Sequence, residues 1–488
     1  MNTISNLTVE GYKSIGEKIE VKFAVPNGED VGSGLTFIVG KNNSGKTNII
    51  DALKALVSNS KKKIILKSER HKKDTSGDTF ISISVAHNNQ QVDISIKVAA
   101  NNFYWDKSSE FDRVWPDIKN VRFIDSNRKP QVLQGGSPEN IQYTTESLIE
   151  NENKYNARGS SQNQITWFHQ SLIQVLADSA KRRKFTDFMK ELIPNFESID
   201  YDKSYNQPFF SYTTKDGVEV TFDAQGDGVN NVIKIATSLA HDDKCLLVID
   251  EPENSLHIAS QKKLLEILKK ESTKRQIVII THSPSMLDIP SIAKAGALIN
   301  RVYADNGTRC ATLRSKNANV LDSLYSCYSL PFAMGDDTKN MFFSDKLFFV
   351  EGHTDAGLIG KFYKDNSLKQ SFDFFGYGAT GASNILNLIR VAVDLQIKSG
   401  GLYDNDDAGK MEMSVAKKML HDEINQGLVK LFLSDKEDIH TKISKEGVLM
   451  KEGYYDKNDM VYTITSENGT LLRSKLKEVD DYFNNTNE

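Results

Sequence analysis

The sequence predicts an α/β protein built from two successive strand–helix alternations, the first longer than the second. Three observations carry that reading. Short apolar runs bounded by polar residues recur along the chain, and segments with helical spacing follow them. A Gly-rich turn separates the run at residues 35–39 from the helical segment at 48–56. The periodicity breaks near residues 330–345, at Pro331 and Gly335-Asp336-Asp337, and a second alternation starts behind the break. The length of 488 residues, about three times an average domain, agrees with several domains.

Composition narrows the class. Hydrophobic residues at 39% and charged residues at 26% exclude a disordered chain. The 61 Lys plus Arg balance 65 Asp plus Glu, so a polybasic, histone-like protein is excluded, while local basic patches can still meet a nucleic acid. Cys245, Cys310 and Cys327 lack metal-ligand spacing and are too few for a disulfide framework, which points to a reducing compartment. The start shows no basic stretch followed by an apolar run, and no run of about 18 apolar residues exists anywhere. A soluble, cytoplasmic protein with no membrane segment is expected.

The elements follow in order. Residues 7–9 and 19–23 alternate apolar and polar, and 35–39 form a compact run suited to a buried strand. Residues 80–85 and 92–98 alternate strictly around Asn88-Asn89, a hairpin signal. The polar stretch 151–164 reads as a loop, and 165–192 has helical spacing with a basic run at 181–184. Strand patterning resumes near Val218. The runs 246–249 and 277–280 fit buried parallel strands with a helix at 260–272 between them. The second part alternates strands at 347–350, 372–375, 401–403 and 428–433 with helices to about 363, at 383–397 and at 409–424. The last forty-odd residues are polar and weakly patterned. The expected division is 1–144, a helical insertion at 145–200 that is a candidate for dimerisation, 201–338, and 341–488.

Gly40-Lys-Asn-Asn-Ser-Gly45-Lys46-Thr47 fits the full pattern G-x-x-x-x-G-K-[ST]. Its glycines let backbone N–H groups turn inward onto phosphates, Lys46 reaches the outer phosphates, and the Thr47 hydroxyl binds Mg²⁺. The helix N-terminus behind it favours negative charge. Gly40, Asn42, Asn43, Ser44, Gly45, Lys46, Thr47 and Asn48 are thus the expected ATP ligands. The run 246–249 delivers Asp250 and Glu251 at its end, one to hold Mg²⁺ and one to polarise the attacking water. His282 follows the next run and is placed to contact the γ-phosphate. About 200 residues separate Lys46 from Asp250, so something is inserted. Gly226 and Gly228 open a further helical segment, which reads either as an anion-binding arrangement or as an ordinary turn and cap.

This order of Lys46, Gly226/Gly228, Asp250-Glu251-Pro252-Glu253 and His282 resembles ABC-type ATPases of the SMC-like branch. The resemblance implies two heads that dimerise around ATP, with Gly226 and Gly228 acting on the partner's nucleotide. The segment departs from the family by lacking the Ser-Gly-Gly-Gln wording.

In the second part Glu351-Gly352 follows one apolar run, with Asp355 close behind, and Asp404-Asn-Asp406 follows another. Asp404 and Asp406 share a side by the period of two, and with Glu351 three carboxylates converge there and repel unless a divalent cation binds. Such ions activate water on a phosphodiester. With the Gly376-Tyr-Gly378-Ala-Thr-Gly381 turn, the pattern is similar to the TOPRIM fold of topoisomerases, primases and related nucleases. An SMC-like ATPase followed by TOPRIM resembles the OLD (overcoming lysogenisation defect) family. That resemblance implies a DNA endonuclease using ATP and Mg²⁺ or Mn²⁺, a role in anti-phage defence, and a helicase or a reverse transcriptase with its msDNA as partner. It implies metal ligands at Glu351, Asp355, Asp404 and Asp406. Further family acids are expected within residues 433–438, and the family lysine at Lys475 or Lys477.

Lys61–Lys63, Arg70–Lys73 and Lys181–Lys184 could track DNA or be solvated surface charge, and Trp105, Trp115 and Trp167 read as core or interface residues. The expected function is an ATP-controlled, metal-dependent nuclease, in which ATP gates DNA access because phosphodiester hydrolysis is already downhill. The alternatives are an ATPase sensor or scaffold with an inactive TOPRIM, and a repair or recombination ATPase.

Overall fold

The computed structural model describes residues 2–57, 79–87, 90–99, 102–107, 121–125, 164–202, 209–221, 226–241, 246–314, 317, 320–321, 339–376, 378–445, 448–458 and 461–484. The chain divides into two compact units, Met1–Cys310 and Ala311–Glu488. Lys61–Lys63, Arg70–Lys73, the Asn88-Asn89 turn, Trp115, Cys245 and Cys327, and the side chains of Trp105 and Trp167, lie outside the described residues.

The first unit holds strands β1 (Thr3–Glu10), β2 (Ile19–Lys22), β3 (Leu35–Val39), β4 (Thr79–His87), β5 (Gln90–Ala99), β6 (Asn102–Lys107), β7 (Val121–Ile124), β8 (Phe196–Asp202), β9 (Phe209–Thr214), β10 (Glu219–Thr221), β11 (Leu246–Asp250), β12 (Ile277–Thr281) and β13 (Leu298–Ala304), with β14 (Thr308–Thr312) at its end. Its helices are α1 (Lys46–Val57), α2 (Gln164–Ala177), α3 (Ser179–Leu192), α4 (Asp227–His241) and α5 (Ile258–Glu271). The strands β13-β3-β12-β11-β7 run parallel in one sheet, while β2-β1-β4-β5-β6 form an antiparallel sheet. The continuous apolar runs at 35–39 and 277–281 become β3 and β12, in which every residue is buried, as a strand covered on both faces requires. Trimming Ile279 or Ile280 to Ala would cost about 2–5 kcal/mol. Gln276 joins the two sheets. Its Oε1 accepts from the Ile4 N–H at 2.8 Å, and its Nε2 donates to the Ile4 and Ala24 carbonyls at 2.7 and 2.8 Å.

The hairpin read around Asn88-Asn89 is present as the β4–β5 pair, registered from Thr79↔Val98 to His87↔Gln90. The helical stretch at 165–192 is two helices. Asp178 ends α2 and caps α3 by accepting from the Ala180 and Lys181 N–H groups. The edge strand β7 escapes a reading by periodicity, because Arg122 interrupts four residues. Arg122 is nonetheless buried, its guanidinium 2.6 Å from His241 Nδ1.

The second unit holds β15 (Lys346–Phe349), β16 (Asp373–Phe374), β17 (Lys398–Tyr403), β18 (Val429–Leu433), β19 (Asp438–His440), β20 (Lys442–Ile443), β21 (Leu449–Lys451), β22 (Gly453–Asn458) and β23 (Val461–Ile464). Its helices are α6 (His353–Asp365), α7 (Ala382–Asp394), α8 (Asp407–Met419), α9 (His421–Asn425) and α10 (Ser466–Asn484). The sheet β16-β15-β17-β18 is parallel throughout. Phe348 meets Phe372 at 4.8 Å between centroids and Phe483 edge-on at 6.2 Å, forming an aromatic core beneath it. The tail read as weakly patterned ends in the 19-residue helix α10. Its Leu472, Leu476, Val479 and Phe483 recur at helical spacing and are buried.

Candidate functional site

In the first unit, three neighbouring parallel strands end side by side. Thr281 of β12 pairs with Val39 of β3, and Ile280 pairs with Asp250 of β11. The loop from Gly40, the Thr281-His282 step and the Asp250-Glu251 step therefore lie abreast at the carboxyl edge of the sheet, where open α/β sheets bind ligands.

The loop is shaped by its own backbone. Gly40 and Gly45 have φ of +153° and +100°, and a Cβ on Gly45 would stand 2.0 Å from Thr308 Oγ1. Thr308 Oγ1 donates to the Ser44 carbonyl at 3.1 Å and shares a 2.6 Å hydrogen bond with Ser14 Oγ, on which Asn48 Nδ2 donates at 2.5 Å. Asn42, Asn43 and Thr47 are exposed, and Asn43 takes the left-handed conformation that Asn tolerates. Ser44 is buried. The Lys46 ammonium is buried too, donating to the Gly40 and Lys41 carbonyls at 2.7 and 2.8 Å. Burial lowers its pKa, against the pull of Glu251, Asp250 and Glu253.

Glu251 occupies φ +50°, a strained conformation for a side chain of its size. Its carboxylate accepts from Asn254 Nδ2 and lies 3.3 Å from His282 Nδ1. His282 is 41% exposed. Asp250 is half-buried at the end of β11. Gly226 and Gly228 differ sharply. Among the described residues nothing lies within 4 Å of a Cβ on Gly226, whereas one on Gly228 would meet the Ser255 carbonyl oxygen at 2.3 Å. Asn231 Nδ2 also donates to the Pro252 carbonyl at 3.2 Å, so α4 rests on the 252–256 loop of its own chain.

The basic run on α3 is partly spoken for. Lys184 pairs with Glu271 at 3.0 Å, and Arg182 with Asp200 at 2.9 Å.

In the second unit, β15 and β17 are parallel neighbours and end on acids. Glu351 Oε1 accepts from the Asp404 N–H at 3.0 Å, which joins the two strand ends directly. Asp355 accepts from the Gly352 N–H at 2.7 Å and is buried. The glycine turn after β16 backs this corner, with the Ala379 and Gly381 N–H groups donating to the Val350 and Glu351 carbonyls at 2.8 and 2.9 Å. Asp406 caps α8 by accepting from the Gly409 N–H at 2.7 Å, and it pairs with Lys451.

The electrostatics split these acids. Burial, then Glu351, Asp438 and Asp355, push Asp404 up to about 9. Burial, then Asp438, push Asp355 up to about 6, and burial raises Glu351. Burial also acts against Asp406 and Asp438, yet the hydrogen bond from Lys451 holds Asp406 below the usual range, and those from His440 and Lys442 hold Asp438 well below it. Asp355, Asp438 and His440 offer donor atoms within 4.8 Å of one another, a set able to hold a metal ion. A buried Asp404 kept protonated by burial and then by its neighbours is the expected state of a cluster that a divalent cation would charge.

Sequence reading anticipated Glu351, Asp355, Asp404 and Asp406 and reached Asp438 only as one of several acids. It missed His440, Lys442 and Lys451. The signal was the alternation Asp438-Ile-His440-Thr-Lys442, which puts all three polar side chains on one side of a strand. Lys451 is cross-strand partner to Lys442. Lys475 instead pairs with Asp435 at 3.3 Å, and Lys477 is exposed.

A family model described as "AAA domain, putative AbiEii toxin, Type IV TA system" matches residues 35–288, from β3 through His282. One described as the overcoming lysogenization defect protein-like TOPRIM domain matches residues 342–406, from just before β15 through Asp406. The chain is 24% identical over 413 residues to Endonuclease GajA of Bacillus cereus (strain VD045), covering 73% of this chain and 67% of that protein. Among solved structures, the Smc head domain of Pyrococcus furiosus bound to the C-terminal domain of ScpA is 16% identical, covers 67% of this chain and 100% of its own, and has a TM-score of 0.45. The SMC head domain from Thermotoga maritima is 16% identical, with coverages of 64% and 99% and a TM-score of 0.38. The nucleotide loop and acid steps of the first unit, and Glu351, Asp355, Asp404 and Asp406 of the second, thus fall inside the two matched segments, with Asp438 and His440 beyond them, and the chain belongs to the AAA-domain family matched over residues 35–288, here joined to an OLD-type TOPRIM domain.

Proposed function

We propose that this protein is an ATP-binding and ATP-hydrolysing DNA endonuclease that depends on a divalent cation. The observation that carries the reading is the buried acid corner. Glu351, Asp355, Asp404 and Asp438 crowd one strand edge, and burial first and then these neighbours push Asp404 up to about 9. Similarity to an endonuclease supports it. Glu351, Asp355, Asp404, Asp406, Asp438 and His440 are the residues that would hold Mg²⁺ or Mn²⁺. The ion supplies Lewis acidity and a water nucleophile at neutral pH. Lys451 and Lys442 keep Asp406 and Asp438 ionised and oriented, and the Asp404 N–H fixes the Glu351 carboxylate.

In the first unit, Lys46 and the backbone N–H groups of 40–48 bind the ATP phosphates, with Thr47 and Asp250 directed to its Mg²⁺. Glu251 polarises the attacking water and His282 turns toward the γ-phosphate. Gly226 and Gly228 serve a partner head across an ATPase dimer. The same reading keeps the division into 1–144, 145–200, 201–338 and 341–488, with 145–200 a dimerisation element. It also includes a cytoplasmic setting, anti-phage defence, and a helicase or reverse transcriptase with msDNA as partner. Among the described residues no helix is long and apolar enough to cross a membrane.

Supercoiled plasmid with Mg²⁺ or Mn²⁺, with and without ATP, tests the reading. Nicking or linearisation that disappears in Asp404→Ala is expected. One observation favours a scaffold with an inactive second unit, namely that the Lys451 and Lys442 ammoniums already neutralise two of the acids. No cleavage by the wild type with either ion, while ATP is still hydrolysed, would support that reading.

A further inference from the structure

Glu253 stands two residues beyond Glu251 and takes no part in the chemistry assigned above. It is 5% exposed. Its Oε1 accepts from Thr281 Oγ1 at 2.5 Å and from the His282 N–H at 3.3 Å, so one side chain from the loop after β11 grips the last residue of β12 and the histidine behind it. Its Oε2 is buried and has no hydrogen-bond partner among the described residues. The grip is reinforced on the far side. The Ser283 N–H donates to Thr281 Oγ1 at 2.9 Å, Ser283 and Ser285 hydroxyls meet at 2.8 Å, Ser285 Oγ donates to Gln261 Oε1 at 2.5 Å, and Gln261 Nε2 returns to the Glu253 carbonyl at 3.3 Å. The ring closes on the residue where it began.

We infer that Glu253 is a positioning residue, holding the His282 backbone so that its imidazole faces Glu251 across 3.3 Å. The inference rests on the ATPase reading. A buried carboxylate with one oxygen unmatched is unfavourable for stability, although an apolar side chain in its place would leave the Thr281 hydroxyl and the His282 N–H without this acceptor. A group that costs stability where catalysis is organised is the usual trade between the two. Burial raises the Glu253 pKa, against the hydrogen bonds from Thr281 and His282, which lower it.

The experiment is steady-state ATP hydrolysis with thermal unfolding of the full chain. Glu253→Met is expected to fold with an unfolding midpoint no higher than the wild type, because two donors lose their acceptor, while kcat falls about tenfold or more, the scale of a misplaced group. KM for ATP should stay within about twofold, because Glu253 acts through His282 and not on the nucleotide. Glu253→Gln, which retains the acceptor, should restore most of kcat. In a His282→Ala background, Glu253→Met should change kcat no further. Should Glu253→Met fail to fold, Thr281→Val removes the donor at nearly constant volume and is expected to lower kcat alike. Full kcat in Glu253→Met, or an equal loss with and without His282, overturns the inference. A wild type that hydrolyses no ATP overturns the ATPase reading itself, and the inference falls with it.

Discussion

The two sites are assembled in opposite ways. In the first unit the phosphate loop is one continuous turn, shaped by backbone torsions and held from behind by Ser14 and Thr308. In the second unit the site comes from side chains on separate stretches, from Glu351 to Lys451, brought together by strand order. A loop of backbone N–H groups is preorganised without ionisation. A corner of carboxylates is not, because its members raise one another's pKa until a cation arrives. The second site should therefore depend on pH more strongly than the first.

The largest effect expected is on the second unit. Asp404→Asn should lower plasmid cleavage more than about 100-fold, beyond what altering an outer partner of a metal ligand does, with ATP hydrolysis intact. The same variant tests the contrast in pH. Asp404 in the folded protein takes up its proton more readily than in the unfolded chain, with a pKa of about 9 against an ordinary value of about 3.9. Its contribution to stability is full below the lower value and lost as pH rises to the upper one. Asp406 and Asp438, held low, contribute fully above about pH 4 and stay constant in that window. In EDTA the unfolding midpoint should fall as pH rises from about 5 to 9, and Asp404→Asn should flatten the fall. A midpoint independent of pH would erase the contrast.

Lys46→Ala attacks the other side of the comparison. ATP hydrolysis should drop about 10²–10³-fold, the scale of losing one preorganised donor, while binding of Mn²⁺ to the second unit, read by calorimetry, is unchanged. Lys451→Met is expected to cost about 10–100-fold in cleavage, since it removes the cation that keeps Asp406 ionised and aimed. The smallest effects separate the paired glycines. Gly228→Ala should destabilise the protein by about 1–3 kcal/mol in chemical denaturation, because its Cβ meets the Ser255 carbonyl. Gly226→Ala should leave stability alone and change ATP hydrolysis only if Gly226 reaches a partner's nucleotide.

Legibility followed the same division. The loop from Gly40 to Thr47, and the runs that became β3, β11 and β12, are contiguous, so a reader of the chain meets them whole. His440 and Lys451 mean nothing until β19 and β21 are folded beside the acids, and only the alternation at 438–442 hinted at them. The strand β7 was too short to show a period, whereas α10 was legible in Leu472, Leu476, Val479 and Phe483 and was obscured by the polar residues around them. The close approach of Gly228 to Ser255 lies in distance alone and has no sequence signature.

The Lys442–Lys451 register has one more consequence. Like charges face each other across a ladder of two and three residues, which by itself would not stand. The hairpin is held by Asp406 and Asp438 on its flank and only weakly by its own rungs. Amide exchange in residues 442–443 and 449–451 should therefore quicken as those two acids are protonated, making these backbone N–H groups a remote gauge of charge in the corner they border.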